Sequence, residues 1–307
     1  MNKLEEELNR LAGSENVRVN EPMASHCTFR AGGPAAYFVT ADTRDKLTAL
    51  IEFLESSGEK YFILGNGSNI LVSDKGYDGV MIRLGKAFED ISRDGDRLIA
   101  GSAAPLVRVS VYASDCGLSG LEFASGIPGS IGGAVYMNAG AYGGEIKQIL
   151  EYADILYHKD GHSFVQRKSA EELDLSYRHS SLKEYAGTVL EASFVLKEDD
   201  KALIKQRMDE LKIKRQEKQP LEYGSAGSTF KRPEGYFAGK LIEDSGLRGA
   251  SCGDACVSEK HCGFIVNKRK ASASEIYRLM CEVQEKVRAD HGVSLEPEVI
   301  LLGDFAD

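Results

Sequence analysis

Apolar positions recur along the chain at two spacings, one helical and one strand-like, and the switches between them predict the order of elements. Leu4, Leu8 and Leu11 form a helical stripe that stops at Gly13. Ala35-Ala36-Tyr37-Phe38-Val39 reads as a strand after the turn Arg30 to Pro34. Leu47, Leu50, Ile51 and Leu54 predict a helix closed by Gly58, and Tyr61-Phe62-Ile63-Leu64 a second strand. A strand-helix-strand run over 35–64 predicts a parallel pairing.

The second strand runs into Gly65-Asn66-Gly67-Ser68-Asn69, followed by the apolar Ile70-Leu71-Val72. From Gly79 to Gly101 the pattern shortens to strands at Val80 to Ile82, Phe88 to Ser92 and Arg97 to Ala100, with Asp94-Gly95-Asp96 as a hairpin turn. Pro105 opens a helix carrying Leu106, Val109 and Ala113 inward, and Gly117 closes it. The glycine-rich stretch Gly126 to Gly144 follows, with a short helix expected within Ser130 to Asn138. Strands at Ile149 to His158, Ser163 to Arg167 and Val189 to Lys197, the first two joined at Asp160-Gly161, make the middle of the chain α+β with antiparallel pairing. Lys201 to Lys218 is a charged connector helix with Leu203, Ile204, Met208 and Leu211 on one side and a solvated opposite face. The last part holds the loop Gly224 to Pro233, a short helix at Phe237 to Asp244 and a strand at Phe264 to Val266. A helix carrying Ile276, Met280, Val283 and Val287 follows, capped by Ser272 or Ser274 and Gly292, and a strand at Glu296 to Leu302 closes the pattern.

At 307 residues the chain has room for roughly two or three domains. No window approaches the ~18 apolar residues of a membrane span. The charged stretch Met1 to Arg10 has no secretory apolar run, so a cytoplasmic protein away from the membrane is expected. A net charge of -9 argues against nucleic acid as a partner while leaving room for a local basic pocket. The scattered Cys27, Cys116, Cys252, Cys256, Cys262 and Cys281 read as reduced thiols. Cys252, Cys256 and Cys262 beside His261 lack the paired spacing of a structural zinc site, and no metal is expected.

Two loops could carry chemistry. The glycines and small residues of Gly126 to Gly144 let backbone N–H groups approach an anionic cofactor, though a tight structural turn has the same composition. Gly65 to Asn69 lies at the carboxyl end of a strand, a common seat for phosphate. Ile70 stands where a Rossmann fingerprint needs glycine, and no Walker A occurs, so flavin fits better than a nicotinamide fold. Arg178, in Tyr177-Arg178-His179-Ser180-Ser181, is either a surface charge or a bidentate partner for a carboxylate. Ser228, after Gly227, is either a turn residue or a catalyst, and no G-x-S-x-G elbow surrounds it. Glu296 and Glu298 would share one side of the last strand if both lie in it, facing solvent or a site.

The segments Leu64 to Val72, Ala124 to Gly144, Tyr177 to Ser180, Gly227 to Pro233, Ala238 to Ile242 and Pro297 to Val299 occur in the order found in a known family. The chain resembles the UDP-N-acetylenolpyruvoylglucosamine reductases, the flavoenzymes of peptidoglycan precursor synthesis, over about residues 20 to 303. The shorter type is the one resembled, because no tyrosine-bearing insertion fits between Tyr177 and Ser228. The resemblance implies an α+β fold: a two-lobed PCMH/VAO-type FAD-binding domain plus a C-terminal α/β substrate-binding domain. The expected parts are lobe 1 over 1–80, lobe 2 with the connector helix over 81–215, the substrate domain over 216–298 and a C-terminal strand and tail over 299–307. It further implies non-covalent FAD and NADPH, and reduction of UDP-N-acetylglucosamine enolpyruvate to UDP-N-acetylmuramate.

By the same match Ser228 is the proton donor, and Arg178 and Glu298 stabilise the enol-like intermediate, with Glu298 selected over Glu296. FAD contacts are implied at Gly65, Asn66, Gly67, Ser68, Asn69, Gly126, Pro128, Gly129, Ser130, Gly132, Gly133, Asn138, Gly140 and Ala141. Substrate contacts are implied at Tyr142, Tyr177, Arg232, Lys240 and Asn267. Cys27 departs from the family, which often carries asparagine there. A monomer is expected. The rival readings are an FAD-linked oxidase of the same fold and a non-catalytic nucleotide-binding module.

Overall fold

Helices begin where a short polar side chain precedes an apolar stripe. Asn2 Oδ1 accepts the Glu5 N–H at 2.9 Å and opens α1 (Lys3–Ala12). Thr43 Oγ1 accepts the Lys46 N–H at 3.3 Å and opens α2 (Arg44–Ser57), which Gly58 closes in the left-handed conformation. The computed structural model describes residues 2–306, and the chain forms two units. The first gathers the chain up to Val19, Tyr37–Asn66 and Gly79–Arg215; the second gathers Asn20–Ala36, Gly67–Asp78 and the chain from Gln216. The units interleave along the chain, where the sequence reading drew consecutive segments.

Most of a four-stranded sheet lies in the first unit; its strands are β1 (Val17–Pro22), β2 (Pro34–Ala41), β3 (Tyr61–Leu64) and β5 (Tyr77–Leu84), in the order β1-β2-β5-β3. β3 runs parallel to β5, with Tyr61 opposite Val80. The expected direct pairing of the 35–39 and 61–64 strands therefore does not occur. The reason is burial: Val80, Met81 and Ile82 are fully buried and suit a central strand, whereas Tyr61, Phe62 and Ile63 are half-buried and suit the edge.

A second sheet is antiparallel throughout, in the order β12-β11-β13-β7-β6. Its strands are β6 (Ile91–Asp94), β7 (Arg97–Gly101), β11 (Leu150–Lys159), β12 (His162–Ser169) and β13 (Gly187–Val195). Asp160 and Gly161, both at positive φ, form the two-residue turn from β11 to β12. The strand expected from Phe88 begins only at Ile91, because Lys86–Phe88 is a 3-10 turn that buries Phe88. Leu106, Val109 and Ala113 of α3 (Leu106–Asp115) and Ile131 and Val135 of α4 (Ile131–Tyr136) share a core with Leu98, Ile155 and Phe194. Two short pairs complete the unit: β8 (Leu118–Ser119) with β14 (Lys197–Glu198), and β9 (Gly140–Ala141) with β10 (Gly144–Glu145). Along α5 (Lys201–Lys218) Ile204 is buried but Leu203 is exposed, so the inner side is narrower than expected. Arg207 fastens the helix through Glu122 at 2.9 Å and Asp199 at 2.6 Å.

In the second unit β4 (Ile70–Val72) runs parallel to β18 (Ile300–Leu302). Glu296 and Glu298 precede that strand instead of lying in it. β15 (Ser251–Cys252), β16 (Ala255–Val257) and β17 (Ile265–Asn267) form an antiparallel sheet. α6 (Ala238–Asp244) and α7 (Ala273–His291) complete the unit. Ser272 and Glu275 form a capping box at the start of α7, and Gly292 ends it. The Asp74 carboxylate adds two bonds there, from the Ala273 and Ser274 N–H groups, both at 2.8 Å. Ile276, Met280, Val283 and Val287 are all buried, each stabilising by about 1.5–3 kcal/mol. Among the described residues no helix is long and apolar enough to cross a membrane, and no group of three or more His, Cys, Asp or Glu could hold a metal ion.

Candidate active site

Within the first unit the two glycine-rich stretches meet. A Cβ on Gly65 would lie 2.6 Å from Ser130 Oγ, a contact only glycine permits. Asn66 Nδ2 donates to the Pro128 carbonyl at 3.2 Å. Ser130 is buried and caps α4, its Oγ accepting the Gly133 N–H at 3.4 Å. Gly129 O accepts the Leu106 N–H at 2.9 Å, and the Ile131 and Gly132 N–H groups donate to Ala104 and Ser102 carbonyls. In contrast, the N–H groups of Asn66, Gly129 and Ser130 donate to no acceptor among the described residues. Backbone donors gathered on small-residue loops make a nest that suits phosphate oxygens, so these residues fit the diphosphate of a flavin dinucleotide.

Gly67 has a different reason to be glycine. A Cβ there would come 2.0 Å from the His26 carbonyl oxygen, and its φ is +62°, so it serves packing within the second unit. Ser68 and Asn69 follow it in that unit. Asn69 Nδ2 donates to the Glu298 carbonyl at 3.0 Å, and the Ile300 N–H donates to the Asn69 carbonyl at 3.0 Å.

Asn138 is buried and all its polar capacity is directed into the protein. Its Nδ2 donates to Glu145 Oε2 at 3.1 Å and to the Ser176 carbonyl at 2.9 Å, and its Oδ1 accepts the Lys147 N–H at 2.9 Å. It thereby ties the β9-β10 hairpin to the turn that carries Arg178. Gly140 and Ala141 form one strand of that hairpin, and Tyr142 and Gly143 turn it. Tyr142 sits at φ +53° and is 44% exposed, and Arg178 sits at φ +55°. Positive φ at residues this bulky is strained backbone, of a kind that persists where the surroundings fix it. The fixing bonds are visible. Ser176 and His179 bridge across Tyr177 and Arg178, Ser180 Oγ donates to the Tyr136 carbonyl at 2.7 Å, and Lys183 Nζ donates to the Arg178 carbonyl at 2.7 Å. The half-buried Arg178 guanidinium donates to the Gly140 carbonyl at 3.4 Å, and Tyr177 lies beside it exposed, ring centroid 5.2 Å from Arg178 Cζ.

Ser228 and Glu298 lie in the second unit. Thr229, fully buried, donates its N–H to the Gly263 carbonyl at 2.8 Å and accepts the Ile265 N–H on Oγ1 at 2.9 Å. Its carbonyl accepts the Glu298 N–H at 2.9 Å, and Phe230 bridges Pro297 next door. Ser228 is therefore held one residue from the position opposite Glu298. The two glutamates part company here. Glu296 is exposed and ion-pairs with Lys231, whereas Glu298 is half-buried with its Oε2 shielded from solvent.

Of the remaining candidates in this unit, Arg232 and Lys240 are exposed, Arg232 lying 4.5 Å from the Phe237 ring centroid and Lys240 ion-pairing with Asp244 at 2.6 Å. Asn267 is buried, donating to the Phe29 carbonyl at 2.9 Å and accepting the Ala271 N–H at 2.8 Å. Sequence reasoning missed Arg215, which a Cβ on Gly126 would meet at 2.7 Å from its Nη1. The signal lies in the spacing: Ile204, Met208, Leu211 and Arg215 continue a single helical stripe, although Arg215 also belongs to the charge run.

Residues 219–302 match the family model for the UDP-N-acetylenolpyruvoylglucosamine reductase C-terminal domain, and residues 35–165 match that for an FAD binding domain. A UDP-N-acetylenolpyruvoylglucosamine reductase of Agathobacter rectalis is 52% identical over 93% of this chain and 94% of its own. The chain belongs to the UDP-N-acetylenolpyruvoylglucosamine reductase family. A reductase of Clostridium novyi is 47% identical over 99% of this chain and 98% of its own. The crystal structure of the reductase from Thermus caldophilus superposes with a TM-score of 0.78 at 36% identity, covering 94% of this chain and 98% of that one. The fold is thus that of the UDP-N-acetylenolpyruvoylglucosamine reductases, with the FAD-binding part ahead of the family's C-terminal domain.

Proposed function

We propose that this chain is a cytoplasmic flavoenzyme that takes reducing equivalents from NADPH and reduces the enolpyruvyl ether of UDP-N-acetylglucosamine to the lactyl ether. The observation that carries this reading is the Glu298 N–H bond to the Thr229 carbonyl, which brings the residue after Ser228 against the backbone of a residue with a shielded carboxylate. Bound FAD, charged by NADPH, would supply a hydride to one carbon of the substrate double bond. Negative charge then gathers on the substrate carboxylate as an enolate, and Arg178, held in its strained turn, is the group to stabilise it. Ser228 hands its hydroxyl proton to the neighbouring carbon and regains one from water, completing the two-electron reduction. A serine is a weak acid, adequate here because the receiving centre is carbanion-like. Glu298 orients Ser228 or shares that proton.

In this scheme Asn66, Gly129 and Ser130 receive the cofactor diphosphate. Asn138 and Asn267, whose side chains are engaged with the protein, position the loops rather than touch a ligand. Tyr142 and Tyr177 contact the substrate, and Arg232 and Lys240 offer charge to the sugar nucleotide. Purified protein should be yellow, bleached by NADPH and restored to yellow by the enolpyruvyl sugar nucleotide. A colourless protein after FAD has been supplied overturns the reading.

A further inference from the structure

Arg215 ends the inner stripe of α5 and is half-buried; burial pulls its pKa below the ordinary guanidinium value, and nearby Tyr142 pulls the other way. Yet it makes no ion pair or hydrogen bond with the described residues. Its neighbour on the same helix behaves differently, since Arg207 binds Glu122, Asp199 and Ser119. Withdrawing a cation from water without a counter-charge is unfavourable, so a side chain kept in that state points to an anion from outside the chain.

Its place says which kind. The Gly126 backbone passes so close that an added Cβ would lie 2.7 Å from Arg215 Nη1 and 2.8 Å from Cδ. Gly129 and Ser130, whose N–H groups have no acceptor among the described residues, follow three and four residues along the same loop. A forked guanidinium beside a row of backbone donors matches a group with several anionic oxygens on adjacent phosphorus atoms.

We infer that Arg215 is the counter-ion for a diphosphate diester bound at the Gly126 to Ser130 loop. Two ligands carry that chemistry: the flavin dinucleotide and, resting on the function proposed above, the UDP-sugar.

The holoenzyme and its Arg215→Gln and Arg215→Lys variants separate them. FAD affinity is read from flavin fluorescence on release and rebinding, and nucleotide affinity from the perturbation of the bound-flavin spectrum by UDP. Loss of one charge-assisted contact should weaken one ligand by about 10- to 100-fold in Arg215→Gln. The log-log salt slope for that ligand should flatten too, with partial recovery in Arg215→Lys. A loss confined to FAD assigns the cofactor diphosphate; a loss confined to UDP assigns the substrate diphosphate. If both affinities stay within twofold of wild type in a variant that melts like wild type, the inference is overturned. Should Arg215→Gln fail to fold, Arg215→Lys decides: affinities within twofold of wild type, together with salt-independent binding of both ligands to wild type, also overturn it. Wild-type protein that holds FAD but ignores UDP would sink the proposed substrate and leave the FAD arm intact.

Discussion

The side-chain amide of Asn69 donates to the main-chain carbonyl of Glu298 at 3.0 Å, tying the end of a glycine loop to the backbone that carries the carboxylate proposed for proton handling. Asn69→Ala should lower stability by about 1 kcal/mol and slow reoxidation of reduced flavin by the sugar nucleotide, while FAD retention stays unchanged. Thermal melting, flavin content and single-turnover kinetics check this. Loss of flavin in place of slowed reoxidation would make Asn69 a cofactor contact.

Ser228→Ala should leave flavin reduction by NADPH nearly intact and slow the second half-reaction by about 10²–10⁴. Stopped-flow absorbance of the flavin separates the two steps. Equal slowing of both would give Ser228 a different role.

Arg178→Lys keeps a charge but loses the fork, and Lys has less reason to stay in a strained turn. Its kcat should fall by about 10²–10³. A variant turning over at the wild-type rate removes Arg178 from the chemistry.

Gly65→Ala puts a methyl group 2.6 Å from Ser130 Oγ. Ser130 is buried and occupied as a helix cap, so it has little room to yield. Overpacking of this kind should destabilise by about 1–3 kcal/mol and loosen FAD. Denaturant titration and flavin release measure the two effects, and a wild-type result in both would refute the contact between the loops.

Burial tends to raise the pKa of Asp74, but hydrogen bonds from Ser274, Ala273 and Ser272 at the start of α7 outweigh it and hold the carboxyl below the ordinary Asp value. A depressed folded-state pKa adds stability above the unfolded value and loses it as pH falls through the folded one. Asp74→Ala should therefore melt earlier at neutral pH, by about 1 kcal/mol for a lost cap. The gap to wild type should shrink below about pH 4, where Asp74 of the unfolded chain begins to bind its proton. A gap unchanged down to pH 2 would contradict the sign.

The sequence made the elements legible wherever a stripe and a cap agreed, as at Ser272 to Gly292. It misplaced pairings that depend on competition between strands. Nothing local in Tyr61 to Leu64 reveals that Val80 to Ile82 takes the central place, because that is decided by burial on both faces. Among site residues, motif order pointed to Arg178, Ser228 and Glu298. It could not show that Asn138 and Asn267 spend their amides on the protein, since a buried structural asparagine and a ligand-binding one look alike in a string of letters. Arg215 shows the converse: its helical register was readable, and only the surrounding charges disguised it.

Ile70 and Ile300 face each other across a parallel pair, about 230 residues apart in the chain. During synthesis at about 5–20 residues per second, β4 emerges on the order of tens of seconds before its partner exists. For that interval the nascent chain displays a short apolar strand with nothing to pair with, in a segment that directly follows one of the two glycine loops. The second unit thus becomes complete only once β18 has been made, and chaperone demand should be greatest just before then.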